Sequence, residues 1–371
     1  MARWAILSLL GVSAFLAACA AQTAGSSPGK PAAPEKPAAA VPSSAATSAA
    51  PAAPPAAQAV PAAPISVRLA SGVISMGTAP LTVARKKGYF AEEGIDLDWQ
   101  LVQGGAAVAA ALTGGDIQFA DGSAADIIGL AGRNLPVLAT VDMTSKVTQD
   151  IVVSTRWAAA KGVTPQSPLR DRIAALKGAR MGITSPGGAP DRYGRWLEGQ
   201  VGLTEDDVEH PRVGGGPEIK VALRQGQIDG FLFSPPLGPE LEAEGVGVTL
   251  IPGSDVPEWA DFPHAIIYIS KEYGQRNAEA VRRVGRAITR GSQLIRSDPP
   301  EARRTLQDEF KDTDPQILQV SVDRSKDAYP TDGKFSQRQW ENAMKLLVES
   351  GTVARAVDTK EGVIWTNEYL Q

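Results

Sequence analysis

Residues 20–64 hold 19 Ala and 10 Pro and not one Leu, Ile, Phe, Tyr or Trp. Such a stretch cannot bury enough apolar surface to offset the entropy lost on ordering it. Any core must therefore come from residue 65 onward. Chains this rich in proline favour extended polyproline II at about 3.1 Å per residue, so the segment reads as a tether reaching on the order of 100 Å.

The nineteen residues before it do not read as fold either. Arg3 is followed by an apolar run, Ala5–Phe15, and then by Leu16-Ala17-Ala18-Cys19. A basic start, a short apolar run and small residues directly before a cysteine match a bacterial lipoprotein signal, residues 1–19, with lipidation at Cys19. Cys19 is the single cysteine of the chain, so no internal disulfide framework is expected. The apolar run is short for a membrane span. The expectation is an exported protein, periplasmic or at the cell surface, held to a membrane by its lipid and not itself a channel.

The 37 basic and 41 acidic residues leave a net charge of −4, which argues against a nucleic-acid partner. Without residues 1–64 the balance is 34 bases to 40 acids. Two separated histidines, His210 and His264, offer no zinc set, and neither a metal nor another cofactor is expected.

From Ile65 the texture alternates. Ser66–Ala70, Leu97–Val102, Ile117–Ala120, Val137–Val141 and Ile151–Ser154 read as strands, with helices at Pro80–Phe90, Ala106–Leu112 and Ala124–Ala131. The pattern restarts after Leu176, with strands at Arg180–Thr184, Val208–Val213, Phe231–Phe233 and Val248–Ile251 and helices at Asp191–Gln200 and Glu218–Arg224. His264–Ile269 is one more strand, and Ala278 to Glu349 is nearly all helix. Alternation of this kind predicts an α/β fold with mostly parallel sheets. The restart predicts two lobes and a cleft. The first lobe is 65–152 plus 264–371, including a helical C-terminal part, and the second is 153–263. Ile151–Thr155 and His264–Ser270 are the expected joining strands.

Glycine- or hydroxyl-rich loops precede several of the helices: Ser75–Pro80, Gly104-Gly105, Gly122-Ser123, Ser185–Pro190, Gly214–Pro217 and Ser234-Pro235-Pro236. Each follows a predicted strand, at the end where open α/β sheets bind ligands. Free N–H groups and the helix dipole there favour an anion. Any one of these loops is an ordinary turn; six of them split between two lobes point to a small ligand between the lobes. The candidate contacts are Thr78, Gly105, Asp121, Ser123, Ser185, Gly187, Gly188, Arg192, Gly215 and Ser234.

The run Ala79-Pro80-Leu81-Thr82-Val83-Ala84-Arg85-Lys86-Lys87-Gly88-Tyr89-Phe90-Ala91-Glu92-Glu93-Gly94-Ile95-Asp96-Leu97 resembles the first helix and second strand of the nitrate/sulfonate/taurine-type (NMT1/THI5-like) solute-binding proteins of ABC importers. The resemblance continues at Gly115-Asp116-Ile117-Gln118-Phe119, Leu176-Lys177-Gly178, Gly226-Gln227-Ile228-Asp229-Gly230-Phe231 and Ala278-Glu279-Ala280-Val281, and covers most of residues 66–371. It implies a two-lobed periplasmic-binding-protein fold of the type II kind that closes on a small organic ligand such as a sulfonate or carboxylate. It also implies a membrane permease as partner and no catalysis. A monomer is expected.

The chain departs from that pattern. Ala106 and Ala107 stand where relatives often carry Ser or Thr after the paired glycines, which puts a sulfonate or nitrate grip there in doubt. Asp121, beside Gly122-Ser123, would repel an anion; it reads either as a helix N-cap or as a pocket hydrogen-bonding group. Arg192 reads either as a fork for a ligand carboxylate or as a solvated first-turn residue. Trp196 falls at core spacing, His264 is expected in a hinge or core, and His210 at the surface. Trp259 caps the hinge or faces the cleft.

Two other functions share the architecture. Pyrimidine-precursor synthases need a cysteine-rich iron motif that this chain lacks, and menaquinone-pathway-type enzymes resemble the same fold. A ligand sensor is the third reading. The leader carries its own test. Mass spectrometry of membrane-extracted protein is expected to show a diacylglyceryl-modified N-terminal Cys19, and Cys19→Ser is expected to abolish membrane retention. An unmodified soluble product starting elsewhere would refute the lipoprotein reading.

Overall fold

Strand β1 (Ile65–Ser71) pairs on both edges, parallel to β2 (Ile95–Leu101) and parallel to β3 (Phe119–Gly122). It opens the ordered part of a computed structural model that describes residues 63–102, 104–351, 353 and 355–370. The signal segment, Cys19 and nearly all of the tether lie outside the described residues. Strands β4 (Val137–Thr144) and β9 (Ala265–Ser270) complete the first sheet in the order β2-β1-β3-β9-β4. A second sheet runs β6-β7-β5-β8, from β5 (Asp150–Ser154), β6 (Met181–Gly182), β7 (Gly230–Phe233) and β8 (Gly247–Ile251).

Among the described strands, parallel ladders join only β1–β2, β1–β3 and β6–β7, so the sheets are mixed rather than mostly parallel. The reason is connectivity. Strands β5 and β9 each enter their sheet directly from the other sheet, without a helical crossover to reverse them, and pair antiparallel on both edges. Chain direction changes sheets at 145–149 and again at 252–264. Ile151–Ser154 lies wholly in the second sheet, and β9 wholly in the first, so the joints are the segments preceding these two strands rather than the strands themselves. Val208–Val213 is not a strand. It makes two isolated bridges, Arg180↔Glu209 and Ile183↔Arg212, because Pro211 between them has no N–H to continue a ladder.

The helices are α1 (Ala79–Lys86), α2 (Tyr89–Glu92), α3 (Gly105–Gly114), α4 (Ala124–Gly132), α5 (Thr155–Lys161), α6 (Leu169–Ala174) and α7 (Ala189–Gly199). They continue as α8 (Gly216–Arg224), α9 (Leu237–Ala243), α10 (Lys271–Arg276), α11 (Ala278–Ser297), α12 (Pro299–Gln307), α13 (Pro315–Ser325) and α14 (Gln337–Glu349). Helices α12 and α13 each begin on a proline behind an aspartate whose side chain accepts a backbone N–H, the start proline tolerates best. No helix among the described residues is long and apolar enough to cross a membrane.

The longest helix, α11, buries Val281, Val284, Ile288 and Ile295 and packs along α1 and β4. Its approach to α1 depends on Gly291, where a Cβ would lie 2.1 Å from the Pro80 carbonyl oxygen. Both groups are helix backbone, so neither yields without moving a helix. Gly291→Ala is expected to cost about 1–3 kcal/mol through overpacking. Gly199→Ala, at the exposed end of α7 with open space around it, is expected to gain up to about 1 kcal/mol. Urea unfolding of both variants checks the pair; equal stabilities would show that α1 and α11 part freely.

Candidate ligand cavity

The loops after β1, β3 and β7 and the start of α7 converge on a cavity of about 80 Å³. The first sheet contributes Ser75, Thr78, Asp121 and Ser123, with Gly105 from the start of α3; the second contributes Thr184, Gly188, Phe233 and Ser234. Gln149 and His264 come from the two segments that join the sheets. The walls touch. Met76 N–H donates to the Pro235 carbonyl at 2.8 Å, and a Cβ on Gly104 would meet the Ser185 Cβ at 3.2 Å.

Local chemistry explains how the walls are set. Ser75 caps the short turn Met76–Thr78: its Oγ accepts from Gly77 N–H at 3.2 Å, while Thr78 Oγ1 accepts from Ser75 N–H at 3.3 Å. Ser123 is the N-cap of α4 in a reciprocal box with Asp126. Ser123 Oγ accepts the Asp126 N–H at 3.3 Å, and Asp126 Oδ2 receives the Ser123 N–H at 2.8 Å and its hydroxyl at 2.7 Å. Asp121 therefore is not the cap; it lies on β3 opposite Ile267. Ser234 Oγ is 2.8 Å from Thr148 Oγ1.

Of the ten contacts expected from sequence, Thr78, Gly105, Asp121, Ser123, Gly188 and Ser234 line the cavity. Ser185 lies behind it, its buried hydroxyl without a partner. Gly187 and Arg192 line an adjoining groove with Gly129, Arg133 and Arg355, and the Arg192 guanidinium donates to the Gly187 carbonyl. Gly215 caps α8 beside Glu218. Gln149 and His264 were missed because neither sits in a glycine-rich loop; the cue for His264 was its place before the returning strand. Trp259 is fully buried and faces Tyr193 and Trp196, ring centroids 6.4 Å away in each case. It therefore packs the joint between the sheets, with Trp196 in the core as expected.

Burial dominates the electrostatics. It pushes the Asp121 carboxyl well above its ordinary range, opposed by a hydrogen bond from Ser71 and reinforced by the charge of Asp126. It raises Asp126 too, opposed by Ser123 and by Arg192. It lowers His264 to about 3, so the imidazole is neutral. Among the described residues no group of His, Cys, Asp or Glu is arranged to hold a metal.

Residues 62–308 match the sequence profile of the NMT1-like family. The chain belongs to the NMT1-like family. Its fold is that of the periplasmic binding proteins. The putative binding protein YtlA of Bacillus subtilis is 24% identical over 302 residues, 78% of this chain and 85% of that protein. A solved protein of Bordetella bronchiseptica superposes with a TM-score of 0.72 at 24% identity, covering 82% of this chain and 95% of that one. The alkanesulfonate-binding protein SsuA of Xanthomonas axonopodis, bound to MOPS, gives 0.64 at 15% identity over 79% and 96%. The nitrate-binding protein NrtA of Synechocystis gives 0.63 at 17% over 80% and 84%.

This NMT1-like protein holds a charged network behind the cavity wall. His210, expected at the surface, has a side chain only 2% exposed. Its Nδ1 lies 2.8 Å from Asp191 Oδ1 and its Nε2 2.9 Å from Glu198 Oε1. Asp191 Oδ2 receives the Gly187 N–H at 2.7 Å, and Arg195 Nε donates to Oδ1 at 2.7 Å. Helix α7 places Asp191, Arg195 and Glu198 on one face, three and four residues apart, and that face covers the histidine. Burial would lower His210, but the hydrogen bonds to Asp191 and Glu198 outweigh it and raise the group to about 9. For Asp191, burial would raise the carboxyl, but the bonds from His210 and Gly187 and the charge of Arg195 bring it to about 2.

A folded-state value for His210 above the unfolded one near 6.5 means its stabilisation is complete below that pH and is lost as pH rises toward 9. Urea midpoints are expected to fall across pH 6.5–9, by up to roughly 3 kcal/mol from this group. In His210→Gln that slope should be gone, with lower stability at neutral pH. A wild-type slope that survives the substitution would place its origin elsewhere.

Proposed function

We propose that this NMT1-like protein is the extracytoplasmic solute-binding component of an ABC importer. It captures a small organic solute between two lobes and hands it unchanged to a membrane permease. The observation that carries this reading is the cavity itself: it lies at the carboxyl ends of strands from two sheets that are linked only through 145–149 and 252–264 among the described residues. The first lobe is the β2-β1-β3-β9-β4 sheet with its helices and the C-terminal part; the second is the β6-β7-β5-β8 sheet with α5 to α9. A solute touching both lobes favours the closed state by its differential affinity. The names of the structural neighbours, sulfonate-binding and nitrate-binding proteins, support solute capture as the general role. Lipidation at Cys19 and the Ala/Pro tether would keep a monomer within reach of its permease.

The test is closure without chemistry. Native mass spectrometry of protein taken from its own cells identifies the retained solute. Scattering is expected to show a smaller radius of gyration with that solute than without it, and the solute should be recovered unaltered. Gly104→Val must place its side chain against Ser185 at a backbone φ of +89°. It is expected to hold the loops apart, weakening retention at least tenfold and enlarging the empty protein. Conversion of the solute by pure protein, or unimpaired uptake in cells lacking the chain, would overturn the importer reading.

A further inference from the structure

Among the described residues lining the cavity there is no lysine or arginine, and there are two aspartates, Asp121 and Asp126. Asp126 is answered from within the chain. Ser123 gives it two hydrogen bonds, and the Arg192 charge favours its ionised form from the adjoining groove. The same carboxylate occupies the space over the start of α3, where a Cβ on Gly105 would lie 3.2 Å from Asp126 Oδ1. The helix start that would favour a sulfonate or nitrate already has a carboxylate against it.

Asp121 has no such answer. It is 4% exposed. The Ser71 hydroxyl bonds to it and Asp126 repels it, while Tyr268 stands nearby with an unpartnered hydroxyl. Burial without a cation drives this carboxyl toward its protonated form; a cation set beside it restores the carboxylate. Two polar groups in the same lining are unmet. Gln149 Oε1 and His264 Nδ1 have no hydrogen-bond partner, in side chains belonging to residues 8% and 5% exposed. An amide oxygen only accepts, an ionised Asp121 likewise, and His264 Nδ1 accepts in the tautomer that carries its proton on Nε2. A solute with N–H donors meets all three.

Resting on the solute-capture reading, we propose that the cavity takes a small organic cation bearing N–H donors, of the ammonium or amidinium class. Its charge sits against Asp121 and its remaining donors meet Gln149 and His264. An anion in that place meets two carboxylates and no cation. An uncharged solute leaves Asp121 protonated and gains nothing from its charge.

Matched probes test this on the full mature protein: ethylammonium and acetamidinium against ethanesulfonate, acetate and nitrate, with acetamide as the uncharged control, read by thermal shift and calorimetry. The cations are expected to raise Tm and bind, and Asp121→Asn to weaken them at least tenfold. Should that variant fail to fold, Gln149→Leu provides the second arm, with at least threefold weaker binding. Ethanesulfonate, acetate or nitrate binding in place of the cations overturns the charge assignment and leaves solute capture standing. Cation binding unchanged in Asp121→Asn also overturns it. No response to any probe, with no retained solute and no closure in scattering, removes solute capture and this proposal together.

Discussion

Strand β9 is hydrogen-bonded to β3 on one edge and to β4 on the other, antiparallel to both. Its position in the middle of the first sheet means that sheet is incomplete until the chain has left it after β4, built the second sheet and returned. The first sheet therefore cannot close its core without two chain crossings. Those crossings bring Gln149 and His264 to the cavity, and they set the β1, β3 and β7 loops opposite one another. The cavity is a consequence of where β9 must go.

The crossings are packed rather than loose. In the returning segment Trp259, Phe262 and His264 surround Tyr193 of α7, with ring centroids 5.3–6.4 Å away. Aromatic contacts of this kind, edge-to-face and tilted, add to area burial and fill the joint. His264 belongs to this cluster on one side and to the cavity on the other.

Much of the fold was legible because it is local. Val248–Ile251 and Phe231–Phe233 are short apolar runs bounded by turns, and the first-helix run carries a specific pattern; each reads correctly from neighbours in sequence. Pairing direction was not legible, since β5 and β9 find partners far along the chain. The single helix read at Pro80–Phe90 divides at Gly88, whose φ of +75° is invisible to periodicity. Among residues lining the cavity, Thr78, Gly105, Ser123, Gly188 and Ser234 are reached through turn chemistry. The misplacements share another cause. Arg192 turns back to the Gly187 carbonyl, and His210 is buried by two carboxylates one helix away; side-chain direction and tertiary burial leave no local trace.

The glycine-rich helix starts deserve their own physical account, because by dipole alone they invite an anion. Each is met by a carboxylate that the chain itself supplies. Asp126 lies against Gly105 at the start of α3 while capping with Ser123. Asp191 takes the Gly187 N–H ahead of α7. A Cβ on Gly215, before α8, would lie 3.4 Å from Glu218 Oε2. Asp126, Asp191 and Glu218 sit in the first turns of α4, α7 and α8, so a diffusing anion meets negative charge that the fold already holds there. Loops that look alike in sequence thus have carboxylates of the chain beside them, and on the proposed reading the solute meets Asp121, Gln149 and His264, away from the helix starts.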